Sequence, residues 1–533
     1  MTRSLRTLFR IASSGLLCAA AAQAAGSTIS GTVRSTKTGE PLPSVQVSLS
    51  VASDSGSAPA NTTTGPAGQF LYVELPAGQY RLQFRKSGFQ KLPAAPEMIS
   101  VQEDEDAPGL DIGLVPAAVI SGRVAGADRE PVPDARVHAY ARRHRGDRVI
   151  LSLAARAQAD DLGEYRLYNL AAGKYVVSAS PPRPGTPAGE FYAGIADVYY
   201  PDVAGPAQST VLNMQWGQEL TGIDLELPGE AAYSVSGVVF DSESGGGCFD
   251  CVMQIARLDG RLVQVLSKQG RISGEGAFLV TGLSAGTYKL SARQAGDRRS
   301  VGQSVIEVSD RNVGDVALIA GLGRAVSGKI VFEEETAESP AEGIAVSLFP
   351  LNGVAWPLPQ TEARQDLTFS FPAVPAEVYR LALKPLPPGA YLKALRLGGR
   401  PLPAPELAVP EDAPVSGVQA VIAFDAATVS GQVKPRRPVS GGEGPVEARV
   451  ALIPKPNQGG YVRAMTLQTA PDGGFSFASV VPGAYTLYAL PVTSNAQLMD
   501  PAVQASLRSF SRQLDLDPSE SATVELPLGP DPQ

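Results

Sequence analysis

Along most of the chain, apolar and polar residues alternate with a period of two, as in Val45-Gln46-Val47-Ser48-Leu49 and Tyr485-Thr486-Leu487-Tyr488-Ala489. The runs are short and end at Gly, Pro or Asp, which is the pattern of half-buried antiparallel strands separated by tight turns. One stretch keeps a helical period instead. Asp500-Pro501 is followed by Val503, Leu507, Phe510 and Leu514 at steps of four, three and four. That spacing predicts a capped amphipathic helix lying as a lid on the last strand region, or docking a partner.

The alternating segments recur. Five openings share an apolar residue, Ser, Gly and a strand: Ile29-Ser30-Gly31, Ile120-Ser121-Gly122, Val235-Ser236-Gly237, Val326-Ser327-Gly328 and Val429-Ser430-Gly431. Their glycines lie 91, 115, 91 and 103 residues apart. A tyrosine in a later strand follows each glycine at an offset of 49, 53, 51, 51 or 54, namely Tyr80, Tyr175, Tyr288, Tyr379 and Tyr485. Five copies of one unit are the simplest cause of such constancy. A unit of that length holds about seven short strands, which suits a two-layer sandwich with one core. The repeated tyrosine then packs into that core with its hydroxyl hydrogen-bonded at the edge.

At these residues the chain resembles the carboxypeptidase regulatory-like domain, a transthyretin-like sandwich also described as a carbohydrate-binding-like fold. The resemblance rests on the Ser-Gly-x-Val opening, on Pro41-Leu42-Pro43-Ser44-Val45, and on Leu75-Pro76-Ala77-Gly78-Gln79-Tyr80. Copy four departs from it, with Glu377 where a turn glycine is expected. The resemblance implies a fold and no activity: an all-β chain of five tandem transthyretin-like or immunoglobulin-like antiparallel β-sandwiches with one short helix near the C-terminus. The boundaries expected are 1–24 for a leader, then 25–116, 117–232, 233–322, 323–425 and 426–533, the second carrying an aromatic-rich extension. Short Pro-containing links such as Leu114-Val115-Pro116 and Leu227-Pro228-Gly229 would hold neighbours end to end.

Composition narrows the chemistry. The 533 residues include 55 Gly and 45 Pro, in keeping with many turns, and only two His and three Cys. That is too few ligands for a multi-site zinc enzyme or an iron–sulfur protein. The formal charge of -8, with 18% charged residues, gives no basis for capturing nucleic acid. Arg3, Arg6 and Arg10, the apolar run from Ile11, and Ala22-Gln23-Ala24 read as a cleaved secretory signal, placing the protein in the periplasm or at the cell surface with no transmembrane span after cleavage.

Three local features could carry function. Phe191, Tyr192, Tyr199, Tyr200 and Trp216 concentrate aromatic rings in the extension of copy two, where they form a ligand-binding platform for a glycan or pack as a hairpin against copy two or copy three. Cys248-Phe249-Asp250-Cys251 has thiol-oxidoreductase spacing, yet no helix is predicted after it, so a local disulfide staple is expected in an oxidising compartment. Arg142-Arg143-His144-Arg145, with Arg148, is the one basic cluster and is expected to be a solvated hairpin tip. Neither His138 nor His144 has a nucleophile and orienting acid beside it in the sequence, so no catalytic residue, metal site or cofactor is expected. The resulting expectation is a monomeric, non-catalytic envelope scaffold or binding protein, or alternatively a carbohydrate-binding protein, whose partner is a glycan or another envelope protein.

Overall fold

The computed structural model describes residues 27–531 apart from 52–58, 92–97, 103–108, 146–147, 184–194, 228–231, 243, 267–270, 295–299, 334–342, 352–357, 436–446, 456–460, 463, 493 and 495–496. The expected leader, Phe191, Tyr192, and the link residues Pro228 and Gly229 lie outside the described residues. Among those described, strands make up nearly all the regular structure, with one α-helix at Pro501–Ser506.

The copies share a plan. The opening strand pairs antiparallel with the strand that carries the core phenylalanines, as Ser27–Ser35 does with Gln69–Leu75 and Ala427–Lys434 with Gly474–Val480. On its other side it runs parallel to the last strand of its own copy, in all five copies. This parallel pair departs from a purely antiparallel sandwich, and it requires the chain to build the second layer before returning to the first. In that second layer the hairpin strand pairs with the tyrosine strand, for example Gln46–Val51 with Gly78–Arg85 and Cys251–Asp259 with Gly286–Gln294.

The parallel pairing explains the opening glycine. A Cβ at Gly31, Gly122, Gly237, Gly328 or Gly431 would run into the carbonyl of Leu110, Ile223, Val316, Val418 or Val524 respectively, and in copies one, three, four and five also into a core phenylalanine ring. Only glycine permits that approach. The tyrosine signature has an equally local cause. The hydroxyls of Tyr80, Tyr288, Tyr379 and Tyr485 donate to the carbonyl four residues earlier, at 2.8, 2.9, 3.0 and 2.6 Å. Each ring fills the core while its polar end closes the preceding turn.

Burial is achieved largely within copies. Ile29, Phe70, Tyr80 and Leu82 share a core in copy one, Val235, Phe278, Tyr288 and Leu290 in copy three. Copy four uses Val326, Phe369, Tyr379 and Leu381, and copy five Val429, Phe475, Tyr485 and Leu487. The chain divides into two compact units: Met1–Val119 with Tyr168–Ala172 and Met214–Glu219, and the remainder through Gln533. The second unit therefore holds most of copy two and all of copies three to five.

The helix is shorter than its sequence period predicts. It begins at Pro501, with the Asp500 carboxylate accepting from the Ala502 N–H, and after a 3-10 turn the chain enters the strand Ser511–Leu516. Leu514 is thus a strand residue, paired with Tyr485 on the neighbouring strand. Val503 and Leu507 cover Ala451, Ile453, Tyr488 and Leu490, so the helix roofs the outer face of the copy-five sheet.

Candidate functional site at the hairpin of copy two

The hairpin of copy two is longer than its counterparts. Arg136–Arg145 pairs with Arg148–Gln158 over ten and eleven residues, against seven and four for Ala448–Pro454 and Met465–Gln468 in copy five. At about 3.3 Å per residue the copy-two hairpin reaches about 33 Å. Its basic residues are not all solvated as the sequence suggests: Arg143 is exposed, but the His144 side chain is 17% exposed beside Asp500 of copy five. Within the second unit the hairpin meets copies three and five, and Arg148 lies near enough to Glu377 of copy four to act on its charge.

Its contact with copy three is a shared sheet. Val149, Ile150 and Leu151 run parallel to Leu262, Val263 and Gln264, which makes the strands of both copies parts of one 13-stranded sheet. Apolar side chains seal the joint: Tyr140, Leu151, Val176 and Tyr199 cluster with Leu262, and Ile150 packs on Ala256 and Val263. Tyr199 is 2% exposed and donates from its hydroxyl to Gln264 Oε1 at 2.8 Å. Burial pushes its ionisation well above the usual tyrosine range. Beside it, the buried Arg257 donates to Ala204 O, Ser284 Oγ and Ala285 O and lies over the Tyr288 ring.

Copy four joins through charge. Lys289 Nζ of copy three lies 3.2 Å from Glu377 Oε2, with side chains 7% and 9% exposed. Burial raises the Glu377 carboxyl, and Lys289 and, more weakly, Arg148 of the copy-two hairpin oppose that rise. Among the described residues Glu377 Oε1 has no hydrogen-bond partner, so the carboxylate depends on these cations. The departure from the repeat at Glu377 thus marks a joint. Its turn is kept, since Tyr379 still bonds Pro375 O. Gly173, Gly286 and Gly483 at the same place have φ of 149°, 155° and 145°, whereas Gly78 and Glu377 do not occupy that region, so a side chain is tolerated there.

Copy five docks on copy two through the helix cap. Asp500 Oδ2 accepts from Lys174 Nζ at 2.6 Å, His144 Nε2 lies 3.8 Å from the same oxygen, and Gln497 Nε2 donates to Arg142 O at 2.6 Å. Burial alone would raise the Asp500 carboxyl, but the hydrogen bonds from Lys174 and the Ala502 N–H outweigh it and hold it below the ordinary value. Copies four and five meet where the Tyr461 hydroxyl accepts from Leu395 N–H and donates to Leu402 O, and where Gly389 N–H donates to Ser479 Oγ. The joints two–three, three–four, four–five and five–two form a closed cycle. The expected end-to-end arrangement is therefore corrected for these copies: the connections are short, but side-chain chemistry folds the series back on itself.

Of the other residues the sequence singles out, Tyr199 belongs to the two–three joint and has no face free for a sugar. Tyr200 and Trp216 are half-buried. His138 is 6% exposed beside Tyr140. Cys248 and Cys251 are joined by a disulfide that borders the copy-three core. Lys174, Gln264 and Lys289 escape sequence reading because each looks like an ordinary polar strand position; only Glu377 leaves a visible trace. Copy three also exposes apolar side chains on the outer face of its first sheet, where Phe240, Leu279 and Ile319 are 37%, 53% and 62% exposed and Arg271 stands in register with Leu279. In copy five Lys434 stands where copy three has Phe240, in an exposed ion pair with Glu525.

No three His, Cys, Asp or Glu side chains gather as a metal site among the described residues, and no described helix is long and apolar enough to cross a membrane. Together these features define an all-β protein of several sandwiches joined by buried polar contacts. Residues 28–115, the first copy, match the carboxypeptidase regulatory-like domain. Among solved structures, the chain is similar to the Bacillus anthracis TIE protein, at 9% identity and a TM-score of 0.15 over 85% of this chain and 71% of that one. It is also similar to a streptococcal ancillary pilin, at 13% identity and 0.16 over 55% and 98%. A third is the minor pilin GBS52 of Streptococcus agalactiae, at 15% identity and 0.22 over 38% and 96%. No curated protein matches the chain.

Proposed function

We propose that this protein is a non-catalytic, exported scaffold and binding protein of the cell envelope, built from five sandwiches of which copies two to five act as one body. The observation that carries the reading is where the chain spends its unusual polar residues. Arg257, Lys289, Glu377, Lys174 and Asp500 are all engaged in ties between copies or next to them. The Lys289–Glu377 pair, with side chains 7% and 9% exposed, favours one mutual geometry of copies three and four, which is what a scaffold needs. The arginine-rich leader and the Cys248–Cys251 disulfide support export to an oxidising compartment.

The partner favoured is another envelope protein, met by exposed apolar side chains of copy three. Phe240, Leu279 and Ile319 of copy three support this, since exposed apolar side chains gathered on one sheet face suit a protein contact. Capture from envelope extracts by the mature chain tests it. One defined protein should be retained and lost with Ile319→Lys; retention unaffected by that change overturns the assignment of the face. A glycan partner would rest on Phe191, Tyr192, Tyr200 and Trp216 without Tyr199. Polysaccharide retention abolished by Trp216→Ala would support it, and no binding across a broad glycan panel would remove it.

A further inference from the structure

The cycle of copies two to five closes at a contact unlike the other three. Copies two and three share a sheet, copies three and four share an ion pair nine-tenths buried, and copies four and five are consecutive in the chain with an inserted tyrosine. The closing contact, by contrast, joins Lys174 to Asp500 across 326 residues of sequence, and its hydrogen bonds and ion pairs among the described residues come from a small polar group. Its members are Asp500, Lys174, His144, Arg142 and Gln497, with Asp500 10%, His144 17% and Lys174 26% exposed. Contacts that are mainly ionic and partly wet are the weakest class and the most responsive to solution conditions.

The charges are unbalanced around one titratable ring. His144 faces Arg142 from its own strand, Lys174 from the neighbouring strand, and Asp500 from copy five. Arg142 Nη1 is 3.2 Å from His144 Nε2, Lys174 already satisfies Asp500, and a proton on the ring would add a further positive charge to a site holding one carboxylate. We propose that the contact between copies two and five is a proton-operated clasp, closed at neutral pH and opened in mild acid, which switches the four-copy unit between a closed and an open form.

The sign follows from the ring's surroundings. Burial is the largest influence and disfavours the charged imidazolium; Asp500 opposes it, while Arg142 and Lys174 add to it, leaving the ring harder to protonate in the closed form than its ordinary value. The open form, with the ring in water, takes up the proton near about pH 6.5. Closure is therefore fully favourable above that pH and weakens as pH falls through and below it. The Asp500 carboxyl is held low and acts in the same direction: its contribution is present above the ordinary carboxylate range and is lost only when acid reaches the lowered value of the closed form. Mild acid thus works through His144, and strong acid removes the anion as well. Opening would release Arg142 and His144 from Gln497 and Asp500 of copy five.

The test uses the full mature chain with dyes on Asp161→Cys and Ala505→Cys, exposed positions in copies two and five. Energy transfer should be high at about pH 7.5, fall between about pH 6.5 and 5, and fall at higher pH when salt is raised. His144→Gln should keep transfer high across that range. Lys174→Glu should lower transfer at neutral pH, and Lys174→Glu with Asp500→Lys should restore it. Far-ultraviolet circular dichroism at each pH separates opening from unfolding of the sandwiches. Constant transfer in the wild-type chain, the same acid loss in His144→Gln, or full transfer in Lys174→Glu would each overturn the clasp.

Discussion

The same hairpin is put to different uses in copies two and five. In copy five it is short, and the helix Pro501–Ser506 roofs its outer face with Val503 and Leu507, so the sheet completes itself. In copy two it is extended, carries Arg142, His144 and Arg148 toward its tip, and is completed partly by Tyr199 of its own copy and partly by other copies. One scaffold position thus serves as a closed surface in one copy and as a hub in the other. The difference teaches that the repeat preserves what a single sandwich needs to fold, while assembly is written in the departures from the repeat.

Substitutions can separate those two layers. The largest loss is expected from Gly237→Val, because the new side chain meets the Val316 carbonyl and the Phe278 ring where no shift is available. A cost above about 4 kcal/mol should leave copy three unfolded, seen as rapid hydrogen exchange through its strands. Next is Glu377→Ala, which strands Lys289 in a buried site at about 3–5 kcal/mol in chemical denaturation. Glu377→Gly, which restores the residue of the other copies, should lose as much; if it stabilises, the residue is repeat drift and not a joint. Reducing Cys248–Cys251 should cost about 2 kcal/mol from its small loop and soften copy three alone. Tyr199→Phe is the mildest change, removing one buried hydrogen bond to Gln264 for about 1–2 kcal/mol while the joint stays packed.

Much of the fold was legible because its causes are local. Glycine at 31, 122, 237, 328 and 431 records a backbone approach, and tyrosine at 80, 288, 379 and 485 records a turn closure, so a single sequence with five copies displays both. The parallel pairing was not legible, since a period of two reports alternation and not strand direction. The end of the helix was missed for a related reason: the spacing of Leu507, Phe510 and Leu514 cannot weigh strand pairing, and Leu514 satisfies either period. The joints were hidden more deeply. Lys174 and Lys289 occupy polar strand positions like any solvated lysine, and only three-dimensional placement puts Asp500 and Glu377 beside them. Tyr199 illustrates the same ambiguity, because an aromatic residue in an alternating run suits an exposed platform and a buried seam equally well.

The central claim is that copies two to five close into one body, with copy five seated on copy two. Zero-length carbodiimide coupling at neutral pH, followed by peptide mapping of the monomer fraction, tests it most directly. The account predicts an intrachain Lys174–Asp500 link that disappears in Lys174→Gln. Links confined within single copies or between consecutive ones, with none joining copies two and five, would contradict it.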